Sequence, residues 1–143
     1  MQRSLWLQKF VDVYSELGTD NLITLQSIYH PAVTFIDPLH RVDGVKDLID
    51  SFQSSYTNII QCDFVIQHVF ESDNEAAVYW NMTFRHKSLN GKKPISVIGH
   101  SHLKAQDNLV IFHRDYLDAG AMIYEHVPFI GAFVKTIKQR AGQ

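Results

Sequence analysis

Phe35-Ile36-Asp37-Pro38 and, near the other end of the chain, His113-Arg114-Asp115-Tyr116-Leu117-Asp118 are the stretches on which the fold turns. Ala32 to Ile36 is β-branched and aromatic, the composition of a short strand. Asp37 must leave the helical region ahead of Pro38. The first stretch therefore puts a carboxylate where a strand stops. The second alternates, so His113 and Asp115 share one strand face with Ile111 and Leu117. Two ionisable groups flanked by apolar residues on a buried face cost free energy unless they are paired. Asp115 with His113, or Asp115 with Tyr14, would form a proton-handling pair. Arg85 and Arg114 are the alternative, purely structural partners.

Outward from these stretches the pattern is regular. Residues 62–71, 75–87, 94–105 and 109–118 read as four long strands. Their turns are Ser72-Asp73-Asn74, Leu89-Asn90-Gly91-Lys92 and Gln106-Asp107-Asn108. Asn90-Gly91 is the strongest hairpin signal, and consecutive strands with tight turns give an antiparallel meander. Upstream, Trp6, Phe10, Val13, Tyr14 and Leu17 recur at helical spacing, which predicts a helix over 3–17 ending at Gly18. Thr19 or Asp20 caps a second short helix with Leu22, Leu25, Ile28 and Tyr29 inward, closed by Pro31. Asp43 caps a third, whose buried stripe is Val45, Leu48, Ile49 and Phe52. A last helix runs from Val127 to Arg140, with Pro128 in its first turn. It sets Val127, Ile130, Phe133, Val134 and Ile137 against Lys135, Lys138 and Arg140. Helices followed by a meander make an α+β domain. The N-terminal helices pack on a curved, mainly antiparallel sheet and leave an apolar hollow at the open end of a cone.

The 143 residues fit one domain, with 1–120 as the core fold and 121–143 as a helical extension. Hydrophobic residues make up 45%, enough for a core at this size. A formal charge of −2 and a pI near 6.4 give no basic field for nucleic acid. No apolar stretch approaches the roughly 20 residues that span a bilayer. The single cysteine, Cys62, rules out an internal disulfide framework and suits a reducing compartment. The expectation is a soluble, cytoplasmic protein with no nucleic-acid or membrane partner.

In this order the segments resemble the nuclear transport factor 2-like superfamily. It includes ketosteroid isomerase, the SnoaL-like polyketide cyclases and limonene epoxide hydrolase. The resemblance runs from Phe10 to Asp118. It is carried by Tyr29-His30-Pro31-Ala32-Val33-Thr34-Phe35-Ile36-Asp37-Pro38, by Asn74-Glu75-Ala76-Ala77-Val78, by Gly99-His100-Ser101-His102-Leu103 and by Arg114-Asp115-Tyr116-Leu117-Asp118. Ketosteroid isomerase carries its general base as the aspartate of an Asp-Pro pair, the position of Asp37-Pro38 here. Its two oxyanion donors fall near Val13, with Tyr14 adjacent and turned by about 100°, and on Ser101. The hydrolase resemblance puts Asp115 on a catalytic aspartate. The arginine and second aspartate of that plan are replaced by Trp80 and Met82.

The resemblance thus implies Asp37 as base, Asp115 with His113 as relay, and Ser101 or Tyr14 as donor to a developing oxyanion. Trp80, Met82, Phe84 and Leu117 would line the cavity, while Tyr79, Asn81 and Thr83 face the other way. His100 and His102 lie two apart on one strand. The family register turns Ser101 inward and the histidines outward, so they read as convex, dimer-facing residues, and a metal would need a third ligand that the sequence does not supply. No metal and no cofactor is expected. The expected function is binding of a small, mostly apolar organic ligand, with isomerisation or cyclisation of a carbonyl compound by proton transfer. The competing class is a non-catalytic carrier or dimeric accessory protein, and water addition through Asp115 ranks third. The convex face around Tyr79, His100 and His102 is the expected homodimer surface.

Overall fold

The computed structural model describes residues 3–122 and 130–142, with side chains up to residue 120 and from residue 136. Helix α1 (Leu5–Ser15) is followed by a 3-10 turn at Leu22–Ser27, strand β1 (Tyr29–Ile36), strand β2 (Arg41–Asp43) and helix α2 (Val45–Tyr56). Strands β3 (Ile59–Ser72), β4 (Glu75–His86), β5 (Ile95–Gln106) and β6 (Leu109–Leu117) form the meander. Short helices α3 (Ala119–Met122) and α4 (Ile130–Ala141) complete the described chain. The six strands form one mixed sheet, ordered β2-β1-β6-β5-β4-β3. Every neighbouring pair is antiparallel except β1 and β6, which run parallel.

The core lies between the concave face of the sheet and the helices. Trp6, Phe10 and Tyr14 come from α1, Leu22 and Leu25 from the 3-10 turn, and Leu48 and Ile49 from α2. They meet Tyr29, Val33, Val78, Trp80, Leu103 and Val110 of the sheet. Leu7, Leu25, Leu48 and Leu103 are almost wholly enclosed. Burial of each is worth about 1.5–3 kcal/mol. At the open end of the cone a smaller cluster of Cys62, Phe84, Ile95 and Val97 continues the apolar lining.

Several local expectations are corrected. The first helix stops at Ser15, with Glu16 as its C-cap, rather than at Gly18. The Gly18 N–H turns instead to Asn21 Oδ1 at 2.7 Å. Asn21, not Thr19 or Asp20, precedes the second helical segment, and it makes no capping bond there. Pro31 does not close that segment: it sits exposed inside β1. It falls where the β1–β6 register shifts between Tyr29 and Thr34, so the ladder asks no N–H of it. Asp43 is not a helix cap but the end of β2, accepting from Thr34 Oγ1 at 2.9 Å. Gly44, at φ +91°, makes the turn into α2. Asn90-Gly91 is not a two-residue hairpin. It forms a 3-10 turn with Asn90, Gly91 and Lys92 all at positive φ. The expected two-residue turn appears instead at Asp107-Asn108, both at positive φ.

Ile111 does not share the face of His113. Lys104 opposes Phe112 and Ala105 opposes Val110, so β6 bulges at Ile111. The extra residue reverses the alternation, and Val110 becomes the buried neighbour on that face. The C-terminal helix spans Ile130–Ala141, and its Lys138 pairs with Asp118. The expected start at Val127, the Pro128 first turn and the packing of Ile130, Phe133 and Val134 lie outside the described residues.

Candidate functional site

Strand alternation aims Trp80, Met82 and Phe84 of β4, and Asp115 and Leu117 of β6, into a hollow of about 420 Å³. Strand β1 ends at its mouth, supplying Phe35, Asp37 and Pro38. The far wall is the end of α2 with Phe52 and Tyr56, and β3 with Cys62 and Phe64. Size and apolar lining are those of a small-molecule site. Two other hollows, of about 530 and 480 Å³, are surface grooves lined by residues such as Lys9 with Asp12 and Gln67 with His68. Neither gathers a buried polar network, so the cavity of the cone is the candidate site.

Its floor is the end of a continuous buried chain of hydrogen bonds. Tyr14 Oη lies 2.6 Å from Tyr29 Oη, which lies 2.7 Å from His113 Nδ1. His113 Nε2 is 2.6 Å from Asp115 Oδ1. On the other side Trp80 Nε1 donates to Ser101 Oγ at 2.9 Å, and Ser101 Oγ donates to Asp115 Oδ1 at 2.5 Å. Indole N–H is a donor only and an ionised carboxylate an acceptor only, which sets the directions. With Asp115 ionised and His113 neutral, each step has one donor and one acceptor. Tyr14 donates to Tyr29, Tyr29 to His113, and His113 and Ser101 to Asp115. The His113 ring is 1% exposed and Asp115 18% exposed. Phe10, Tyr14, Tyr29 and Phe35 ring the imidazole, Phe35 with its centroid at 4.6 Å. Burial, reinforced by the Tyr29 phenol and by Asp115, pushes the Tyr14 hydroxyl well above its ordinary value; burial does the same to Tyr29. Both stay protonated donors.

Asp37 is built differently. Its Oδ1 accepts from the backbone N–H of Leu39 at 2.8 Å and of His40 at 2.7 Å, with His40 Nδ1 at 3.2 Å. The carboxylate thus closes the turn that leads from β1 to β2. It lines the mouth, while Asp115 lines the floor of the same cavity. Tyr14, Ser101 and His113, expected at the ligand, stand behind the wall and spend their hydroxyl and imidazole groups on the chain. Met82, Phe84, Trp80 and Leu117 lie on the wall itself. Ser101 faces inward while His100 and His102 face outward, as strand alternation requires. No cluster of three metal-ligating side chains occurs among the described residues.

Two residues were missed by the sequence reading. Tyr29 joins the network because the parallel β1–β6 pairing brings it beside Val110, near His113. Its only sequence signal is a buried helical spacing that it does not keep. Tyr56, on the last turn of α2, reaches the cavity wall, where its hydroxyl lies 3.6 Å from Cys62 Sγ. Burial pushes both groups up, the thiol to about 11.

The profile of the SnoaL-like domain matches residues 7–113. The chain belongs to the SnoaL-like domain family. No curated protein matches it. Among solved structures, this SnoaL-like domain is similar to a protein from Jannaschia sp. CCS1 described as a SnoaL-like polyketide cyclase. Identity there is 14% over 86% of this chain and 94% of that one, with a TM-score of 0.72. It is also similar to a protein of ketosteroid isomerase-like fold from Catenulispora acidiphila, solved with trimethylamine. There the identity is 10%, over 87% and 93% of the two chains, with a TM-score of 0.74. An LEH-like epoxide hydrolase from M. tuberculosis matches at 10% identity over 82% and 79%, with a TM-score of 0.65. At such identities the shared property is the nuclear transport factor 2-like α+β fold. Among the described residues no helix is long and apolar enough to cross a membrane.

Proposed function

We propose that this SnoaL-like domain binds a small, flat, mostly apolar carbonyl compound and moves a proton on it without a cofactor, with Asp115 as the base. The observation that carries the reading is the convergence of the buried donor chain on Asp115 Oδ1 at the floor of an aromatic-walled cavity. The second oxygen, Oδ2, takes no hydrogen bond among the described residues, which leaves it for the ligand. A proton on carbon next to the carbonyl would pass to Oδ2. The electron pair left behind would delocalise onto the carbonyl oxygen, and return of the proton at another carbon would complete an isomerisation or cyclisation. The network holds the carboxylate in one rotamer, so little reorganisation accompanies the transfer. Asp37, the base implied by family resemblance, is better suited to shaping the mouth, because both its oxygens face its own turn, Oδ1 on the Leu39 and His40 N–H groups and Oδ2 at 3.4 Å from His40 Nδ1. Water addition of the epoxide-hydrolase kind lacks support, since the positions of its charged pair hold Trp80 and Met82 on an apolar wall.

The test is proton exchange. With 2-acetylnaphthalene in D2O, the protein should accelerate loss of the methyl proton signal. Asp115→Asn should lower that rate about 100-fold or more, and Asp37→Asn should leave it in the same range. Binding of the ketone without exchange in the wild type would replace the enzyme reading with that of a ligand carrier.

The convex face supports a second, separate reading, pairing with another copy of this chain. Val65, Phe70, Ile98 and Tyr116 are exposed there. The rings of Tyr79, His100 and Tyr116 stack at 4.8 and 4.9 Å. The side-chain carbonyl of Asn81 is buried among them without a partner among the described residues.

A further inference from the structure

A second group would touch the ligand. Besides Tyr56, the cavity wall carries Ser55 and His40, both exposed, and His86, whose Nδ1 accepts from the Ser88 N–H. A carbonyl that loses a proton next door becomes an oxyanion, and an oxyanion needs an N–H or O–H. Trp80 Nε1 is spent on Ser101, Ser101 Oγ and His113 Nε2 on Asp115, and the Tyr14 and Tyr29 hydroxyls on the chain behind them. None of these five donors is free at the floor. Tyr56 is different. It lines the same cavity, opposite the sheet, and its hydroxyl is held by a sulfur at 3.6 Å. Sulfur is a weak acceptor, so a carbonyl oxygen displaces it at small cost.

We propose that Tyr56 is the catalytic hydrogen-bond donor of this site, giving up Cys62 Sγ to meet the ligand's carbonyl oxygen while Asp115 faces the proton to be removed. The inference rests on the reading of Asp115 as the base, and it names the ligand class more narrowly. The ligand presents an acceptor oxygen to the α2 wall and an acidic hydrogen to the β6 wall, across an apolar body. Cys62 acts as a placeholder. It occupies the hydroxyl while the cavity is empty and competes poorly once an oxygen arrives.

The experiment uses 2-acetylnaphthalene labelled with 13C at the carbonyl, bound to the full chain. In the wild type the carbonyl resonance should move downfield on binding, as a hydrogen bond polarises it. Tyr56→Phe should abolish the shift and weaken binding about fivefold, the value of one neutral hydrogen bond. Cys62→Ala removes the competitor and should strengthen binding by a similar factor with the shift retained. Tyr14→Phe, which alters only the far end of the chain, should leave the shift in place. A shift that survives Tyr56→Phe, or that vanishes equally in Tyr14→Phe, would overturn the assignment. Loss of methyl exchange in Asp115→Asn alongside a surviving shift in Tyr56→Phe would overturn Tyr56 alone. A ketone that does not bind the wild type would overturn both.

Discussion

Trp80 can lie against the sheet because its cross-strand neighbour is Gly99. A Cβ there would sit 2.5 Å from the indole and 2.7 Å from the Tyr116 carbonyl. The indole could move, but the backbone carbonyl cannot. Gly99→Ala should therefore destabilise by about 1–3 kcal/mol and swing Trp80 away from Ser101, which near-ultraviolet circular dichroism and denaturant melts would detect together. Tyr29→Phe isolates a different term. It leaves Tyr14 Oη without its acceptor and His113 Nδ1 without its donor, both buried. A cost of about 1–3 kcal/mol is expected, seen as a lower denaturant midpoint at unchanged slope. Residues of this kind were unevenly legible in the sequence. His113 and Asp115 stand two apart on a strand, so period-two alternation put them side by side. Gly99 beneath Trp80 follows only from cross-strand register, and Tyr56 beside Cys62 only from where α2 meets β3. Neither is a pattern along the chain.

At the scale of elements the long segments were readable and the short ones were not. Each meander strand repeats its alternation many times, and the helices repeat theirs over three turns. Strand β2 has three residues, too few to show a period, and it exists because β1 offers Thr34, Phe35 and Ile36 an antiparallel neighbour. Pro31 read as a stop signal because proline breaks helices, whereas a register shift tolerates it just as well. The bulge at Ile111 carries no local mark. The convex face yields the prediction at this scale. Its alternate residues point away from the core, and Ile98 among them is 72% exposed. If two copies pair through this face, Ile98→Lys should bring a species of twice 16.5 kDa down to 16.5 kDa by light scattering. It should do so without shifting the ketone carbonyl signal from the opposite side of the sheet. A wild type that runs at 16.5 kDa at all concentrations would remove the pairing.

At the scale of the whole molecule, the buried titratable hydroxyls and thiol among the described residues lie on one side of the sheet, and this sets the response to alkali. Burial is the leading cause of the raised values at Tyr14, Tyr29, Tyr56 and Cys62. A group whose folded value lies above its unfolded one adds stability that is fully present below the unfolded value and is lost as pH rises through the folded one. For Cys62 that window opens at 9.0 and closes near 11; for the tyrosines it opens at 10.0. Stability should accordingly hold level up to about pH 9 and fall beyond it, with unfolding and phenolate absorbance near 295 nm appearing in one transition. Phenolate signal from these three tyrosines ahead of unfolding would contradict their enclosure. Six tyrosines are present, so Tyr→Phe variants at 79, 116 and 124 would leave these three alone to report.

Tyr29 and His113 touch across 84 positions of chain. Loops of that length close late, after the local hairpins have formed. Until they close, the phenols, the imidazole and the carboxylate keep their water. The final barrier to the native state should then include stripping that water from a seam shared by the first strand and the last.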